Sequence, residues 1–138
     1  MTCVAYRSGV IAADSMSVVE EVKMDNEVKV ARRKGHLFGL AGNVMPPMEA
    51  AISWYFNKKR GKFSPYKFSL LVITPDEKVF DIDQNNGVSA IVAPFYAIGS
   101  GAIGAMCAME TGATAEQAVA ACIKWCEGIG GKVIVRKL

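Results

Sequence analysis

Histidine is almost missing from this sequence: His36 is the only one in 138 residues. A Ser-His-Asp or Cys-His site would have to be built on it. A zinc site would need it together with nearby cysteines, and Cys3, Cys107, Cys122 and Cys126 all lie far from it along the chain. His36 follows the turn signal Lys34-Gly35 and reads as a half-exposed residue at a strand start. Any catalysis must therefore use another kind of base. Long apolar runs are missing too, and none reaches the roughly 18 residues of a membrane helix. Charge is nearly balanced, sixteen basic residues against thirteen acidic for a net +3, too mild to demand a nucleic-acid partner. The start, Met1 to Arg7, lacks the basic-then-apolar layout of an export signal, so a cytoplasmic location and reduced, mostly buried thiols are expected.

What is present is a core-forming composition. Hydrophobic residues make up 51% and charged residues 21%, which excludes a disordered chain. The length suits one domain over residues 1–138. Thr2–Tyr6 and Val10–Ala13 read as two strands around the tight turn Ser8-Gly9. Glu20 to Asn26 is a polar stretch. Val28 to Arg33 alternates with period two, and Lys34-Gly35 turns it into the strand His36–Gly42.

Pro46-Pro47 opens a helix whose stripe is Met48, Ala51, Ile52, Tyr55 and Phe56, with Lys58-Lys59-Arg60 at its end and Gly61 as the stop. Those basic residues lie among Trp54, Tyr55, Phe56 and Phe63, a mixture that can bind single-stranded nucleic acid. The aromatics fall partly on the core stripe, so a solvated helix end is the better reading. Strands follow over Phe68–Thr74, Lys78–Asp83, Val88–Val92 and Phe95–Ile98. A small-residue helix then runs to Glu110. Thr114 and Gln117 form a capping box for a helix with Ala118, Ala121, Cys122 and Trp125 on one face, and Lys132–Arg136 closes the chain as a strand. Strand hairpins with helices in separate blocks argue a layered α+β domain, two sheets with helices over their outer faces.

Thr2 is the first candidate for chemistry. Position 2 is small, so removal of Met1 is expected. Thr2 would then carry a hydroxyl and a free α-amine. That amine, with an ordinary pKa of about 7.7–8.0, can act as a base at neutral pH without histidine. Asp14 ends an apolar strand and Lys29 starts another, so Asp14 could hold Lys29 near the amine and favour its neutral form. The bland alternative is that both are surface charges at strand ends. Gly39-Leu40-Ala41-Gly42 offers backbone N–H groups suited to an oxyanion. Gly99-Ser100-Gly101 has the look of a capping turn or a phosphate cradle, but lacks the lysine and spacing of a P-loop.

The motifs Ala12-Ala13-Asp14, Lys29-Val30-Ala31-Arg32-Arg33, Gly39-Leu40-Ala41-Gly42 and Tyr96-Ala97-Ile98-Gly99-Ser100-Gly101 occur in this order behind Thr2. Together they resemble the proteasome β-subunit family, most nearly the bacterial proteasome-like peptidase HslV and its short phage or prophage relatives. The resemblance implies a four-layer αββα sandwich of the N-terminal nucleophile hydrolase type. It implies a threonine endopeptidase in a homo-oligomeric ring, acting on peptides or unfolded proteins, with no metal or organic cofactor. Thr2 matches the nucleophile, Asp14 the strand-end aspartate, Lys29 the lysine, Gly42 the source of an oxyanion amide and Ser100 the nearby serine. The Asp-x-x-Ser-Gly-Gly motif of many β-subunits is replaced here by Cys126-Glu127-Gly128-Ile129-Gly130-Gly131. The stretch from Pro47 to Phe68 is too short for the family's second helix on that layer, which leaves an unfoldase partner open. The alternative reading is an inactive ring-forming structural or assembly protein with the same fold.

Overall fold

The computed structural model describes residues 1–138. Strand β1 (Val4–Arg7) turns into β2 (Val10–Ala13) through Ser8 and Gly9, both at positive φ (51° and 76°). This is the primed turn that matches strand twist. A small separate hairpin follows, β3 (Ser17–Val19) and β4 (Val22–Met24). Strand β5 (Val30–Arg33) turns at Lys34-Gly35 into the long β6 (His36–Val44). Helix α1 (Met48–Phe56) is followed by β7 (Lys67–Ile73), β8 (Val79–Asp83), β9 (Val88–Ile91) and β10 (Phe95–Ile98). Helices α2 (Ala102–Glu110) and α3 (Ala115–Trp125) lead to the last strand, β11 (Ile134–Lys137).

The strands form a four-stranded sheet in the order β10-β1-β2-β11 and a five-stranded sheet in the order β5-β6-β7-β8-β9, every pairing antiparallel. Alternation along each strand sends neighbouring side chains to opposite faces. Val4, Tyr6 and Ile11 therefore face Val30, Leu37 and Leu71 of the other sheet. Cys3, Ala5 and Ala12 face the other way, onto Ala105, Met109, Ala118 and Cys122 of α2 and α3. Small side chains on both sides let the helices lie close to the sheet. The outer face of the five-stranded sheet, through Phe38, Leu40 and Leu70, packs on Met48, Ala51 and Ile52 of α1.

Gly39 sits where the two sheets meet. A Cβ there would lie 2.5 Å from Val4 Cγ1 and 3.0 Å from Ile11 Cδ1. Gly39→Ala is therefore expected to destabilise the fold by about 1–3 kcal/mol through overpacking, read as a lower midpoint in urea.

Several expectations change. Residues 17–24 form a hairpin rather than a plain polar stretch, because Glu20 and Glu21 adopt positive φ (49° and 68°) and close a turn between short strands. Helix α1 stops at Phe56 with Asn57 as its C-cap, so Lys58 to Arg60 lie beyond it. No helix forms between Asn57 and Tyr66. The capping box of Thr114 and Gln117 is present. The buried face of α3 is Ala115, Ala118, Val119 and Cys122, whereas Ala121 is exposed and Trp125 is 78% exposed. Cys107 is exposed and Cys126 half-buried, so only Cys3 and Cys122 are interior thiols. His36 is half-buried at the start of β6, with its ring against Phe38, Tyr55 and Phe56.

Candidate active site

Strand register gathers the candidate residues at one end of the two sheets. Val4 pairs with both Ala13 and Ile98, so the start of β1 lies beside the end of β2 and the end of β10. Thr2, Asp14 and Ser100 are just beyond those three ends. In the other sheet Val30 pairs with Gly39, which sets Lys29 against Leu40, whose N–H donates to the Lys29 carbonyl at 2.9 Å. Gly42 is two residues further along β6.

Thr2 is buried and clamped from the Gly99-Ser100-Gly101 turn. The Gly101 N–H donates to the Thr2 carbonyl at 3.1 Å, and the Thr2 N–H donates to Ser100 Oγ at 3.3 Å. The Ser100 hydroxyl lies 3.4 Å from the Thr2 carbonyl, which it can reach as a donor. Gly99 has φ of +94° and presses against the Thr2 carbonyl so closely that a Cβ has no room. This turn is thus a clamp on the chain start rather than a cradle for phosphate.

Lys29 and Asp14 are fully buried, with relative exposures of 1% and 0%. Lys29 Nζ donates to both Asp14 carboxylate oxygens at 3.1 Å, to the Met16 carbonyl at 2.6 Å and to the Met1 carbonyl at 3.1 Å. Asp14 also accepts the N–H of Cys3 at 3.0 Å and of Gly130 at 3.2 Å. A buried ion pair persists only when its remaining donors and acceptors are filled in this way. The surface-charge reading of Asp14 and Lys29 is excluded by their burial. Because Nζ touches the Met1 carbonyl oxygen, peptide geometry puts it within about 5.5 Å of the Thr2 nitrogen.

The Gly39–Gly42 backbone is less open than expected. Gly39, Leu40 and Ala41 are buried within the paired strand. Pairing with β7 slips between Gly42 and Val44, and Gly42 and Asn43 are exposed there. A cavity of about 390 Å³ is lined by Met1, Thr2, Gly42, Asn43, Gly99 and Ser100. Three of the five candidates, Thr2, Gly42 and Ser100, therefore share one cavity wall, while Asp14 and Lys29 lie behind the chain start.

Cys3 points away from this cavity, toward Cys122 and the helices. Burial, with the Cys122 thiol beside it, pushes the Cys3 thiol far up from its ordinary pKa. It is a thiol rather than a thiolate at neutral pH, and a poor nucleophile.

Some contributors were not picked out from sequence. The carbonyl of Met16 and the N–H of Gly130 are backbone groups, and no side-chain pattern marks them. Glu27 Oε2 lies 3.8 Å from Lys29 Nζ. Its position two residues before Lys29, on the same side of an extended chain, was the available signal. Gly130 belongs to the segment that replaces Asp-x-x-Ser-Gly-Gly, and it reaches Asp14 through its backbone.

An α+β fold of antiparallel sheets and three helices, with a threonine at its sheet ends, is what the geometry defines. No protein-family model matches the sequence, and no curated protein matches it. Among solved structures, the chain is similar to Thiobacillus denitrificans BPH in complex with epoxomicin, at 17% identity and a TM-score of 0.69, covering 99% of this chain and 98% of that one. It is similar to Thiobacillus denitrificans BPH alone at 17% identity and a TM-score of 0.68, covering 99% and 97%. Eukaryotic HslV from Trypanosoma brucei matches at 18% identity and a TM-score of 0.70, covering 98% and 97%. The chain has the fold of the HslV-type proteasome-like peptidases.

Proposed function

We propose that this protein is a proteasome-type threonine peptidase, working as a homo-oligomeric ring in the cytoplasm on peptides or unfolded proteins. Its 138 residues form one domain, and the three buried clusters support a four-layer αββα reading. The observation that carries the proposal is the chain start. Thr2 lines a cavity with Gly42 and Ser100, and the carbonyl of its preceding residue rests on a buried lysine.

In the structure the Thr2 nitrogen is an amide, bonded to Met1, and an amide is no base. Removal of Met1 would free the amine and release one Lys29 donor beside it. Thr2 Oγ would then attack the substrate carbonyl carbon while its proton passes to the α-amine. The amide of Gly42 would face the developing oxyanion. The scissile C–N bond breaks as the ammonium returns its proton to the leaving amine, which leaves an ester on Thr2. Water, deprotonated by the same amine, hydrolyses that ester and restores Thr2. Lys29 would lower the basicity of the amine by like charge, and Asp14 would hold Lys29 in place. Ser100 would orient the amine through the contact it already makes with the Thr2 nitrogen.

Outward-facing apolar residues on the helices, Ile103 at 81% and Trp125 at 78% exposure, support assembly. Light scattering at micromolar concentration should show an oligomer. Epoxomicin, held by the Thiobacillus protein, is a fitting first inhibitor for a peptide-hydrolysis screen. Turnover of peptides that epoxomicin blocks is the expected result, whereas processed, assembled protein without turnover would favour the inactive ring-forming alternative. Cys3→Ala should keep at least about half of the wild-type rate, because its thiol faces the helices and is protonated. Label mapping to Cys3 would overturn the choice of nucleophile.

A further inference from the structure

We propose that Glu27 is a positioning residue that sets the pH range of the reactive amine, an inference that rests on the threonine-nucleophile reading. Lys29 has three N–H donors, and three partners take them: Asp14, the Met16 carbonyl and the Met1 carbonyl. Loss of Met1 removes one partner. Glu27 Oε2 is already 3.8 Å from Nζ, and its carboxylate is 31% exposed. Its backbone N–H is tied to the Ser15 carbonyl at 2.9 Å, so the segment that carries it is fixed next to Asp14.

The charge count around the amine makes Glu27 matter. Lys29 and Asp14 cancel. Glu27 then leaves a net negative charge on this cluster, within about 10 Å of the Thr2 nitrogen given its 3.8 Å contact with Lys29 Nζ. The other charged groups near this end are on the surrounding elements. Lys23 and Asp25 on the hairpin and Glu127 on the loop beside Met1 all line a separate, larger cavity of about 780 Å³, and all are exposed. On the Gly42 and Gly99 side the charged group is Lys67, which lines a neighbouring cavity with those residues and is exposed. A carboxylate near the amine favours its protonated form. Glu27 therefore opposes Lys29, holding up the amine's basicity that Lys29 lowers. Removing the negative charge should lower the amine pKa and move the acid limb of activity to lower pH.

The test uses protein whose first residue is Thr2, released from a cleavable N-terminal fusion, so that the amine is free whether or not cells remove Met1. Reductive methylation reacts with the neutral amine, and its rate against pH, read by mass spectrometry at Thr2, gives the amine pKa without any need for turnover. Glu27→Gln should lower that pKa by about half a unit, the effect of one partly solvated charge at this range. Glu27→Asp should restore most of the shift. Asp25→Asn serves as the control for net charge and should move it much less. An unchanged or raised pKa in Glu27→Gln, or an equal fall in Asp25→Asn, would overturn the role assigned to Glu27. Peptide hydrolysis over the same pH series separates the two readings. A shifted amine without turnover upholds Glu27 and sinks the peptidase, while turnover with an unshifted amine does the reverse.

Discussion

Thr2→Ala is expected to abolish peptide hydrolysis, with a fall of at least roughly 10⁴-fold, while the protein still folds and assembles. Loss of a hydrolase nucleophile costs on this scale. Alanine keeps position 2 small, so Met1 removal should be unaffected. It also keeps the backbone contacts that clamp this residue, the Gly101 N–H to the Thr2 carbonyl and the Thr2 nitrogen to Ser100 Oγ. Thr2→Ser retains a hydroxyl and an amine and should keep part of the rate. Full activity in Thr2→Ala would show that another group attacks.

The second large effect is at Lys29. Lys29 is among the largest fully buried side chains, and its partner Asp14 is at 0% exposure. Removing the ammonium strands a buried carboxylate, and such losses cost about 3–5 kcal/mol. Lys29→Ala should therefore lose both activity and stability, the second measured by urea unfolding. A double replacement, Lys29→Met with Asp14→Leu, removes both charges with similar volumes. It should recover only part of the stability, since no charge is left stranded but the buried N–H groups of Cys3 and Gly130 lose their acceptor. It should not recover activity. Recovery of both would mean that the pair only holds the fold.

Most of the strand order was readable because turns carry strong local chemistry. Ser8-Gly9 and Lys34-Gly35 sit at the positive φ their positions suggested, and Thr114 with Gln117 caps α3. The hairpin at residues 17–24 was hidden because Glu20 and Glu21, rather than glycine or asparagine, make its turn. The face of α3 was misjudged at Trp125, an aromatic that hydrophobicity alone assigns to the core but that ends its helix in solvent. Thr2, Asp14, Lys29 and the Gly39–Gly42 backbone were legible as candidate chemistry, while Ser100 was singled out only by the family resemblance. Their meeting at one place follows from register, which pairs Val4 with Ala13 and Ile98 and Val30 with Gly39. The groups that complete the Lys29–Asp14 site, the Met16 carbonyl and the Gly130 N–H, are main-chain atoms that every residue possesses, so nothing in residue identity points to them.

The central claim is that Thr2, with a free amine, is the nucleophile. Mass spectrometry of the purified protein before and after reaction with a covalent inhibitor directed at N-terminal threonine tests it most directly. The account predicts an intact mass lacking Met1, one inhibitor per chain, and an adduct that maps to Thr2. A retained Met1 with no adduct, or an adduct on Cys3, would contradict it.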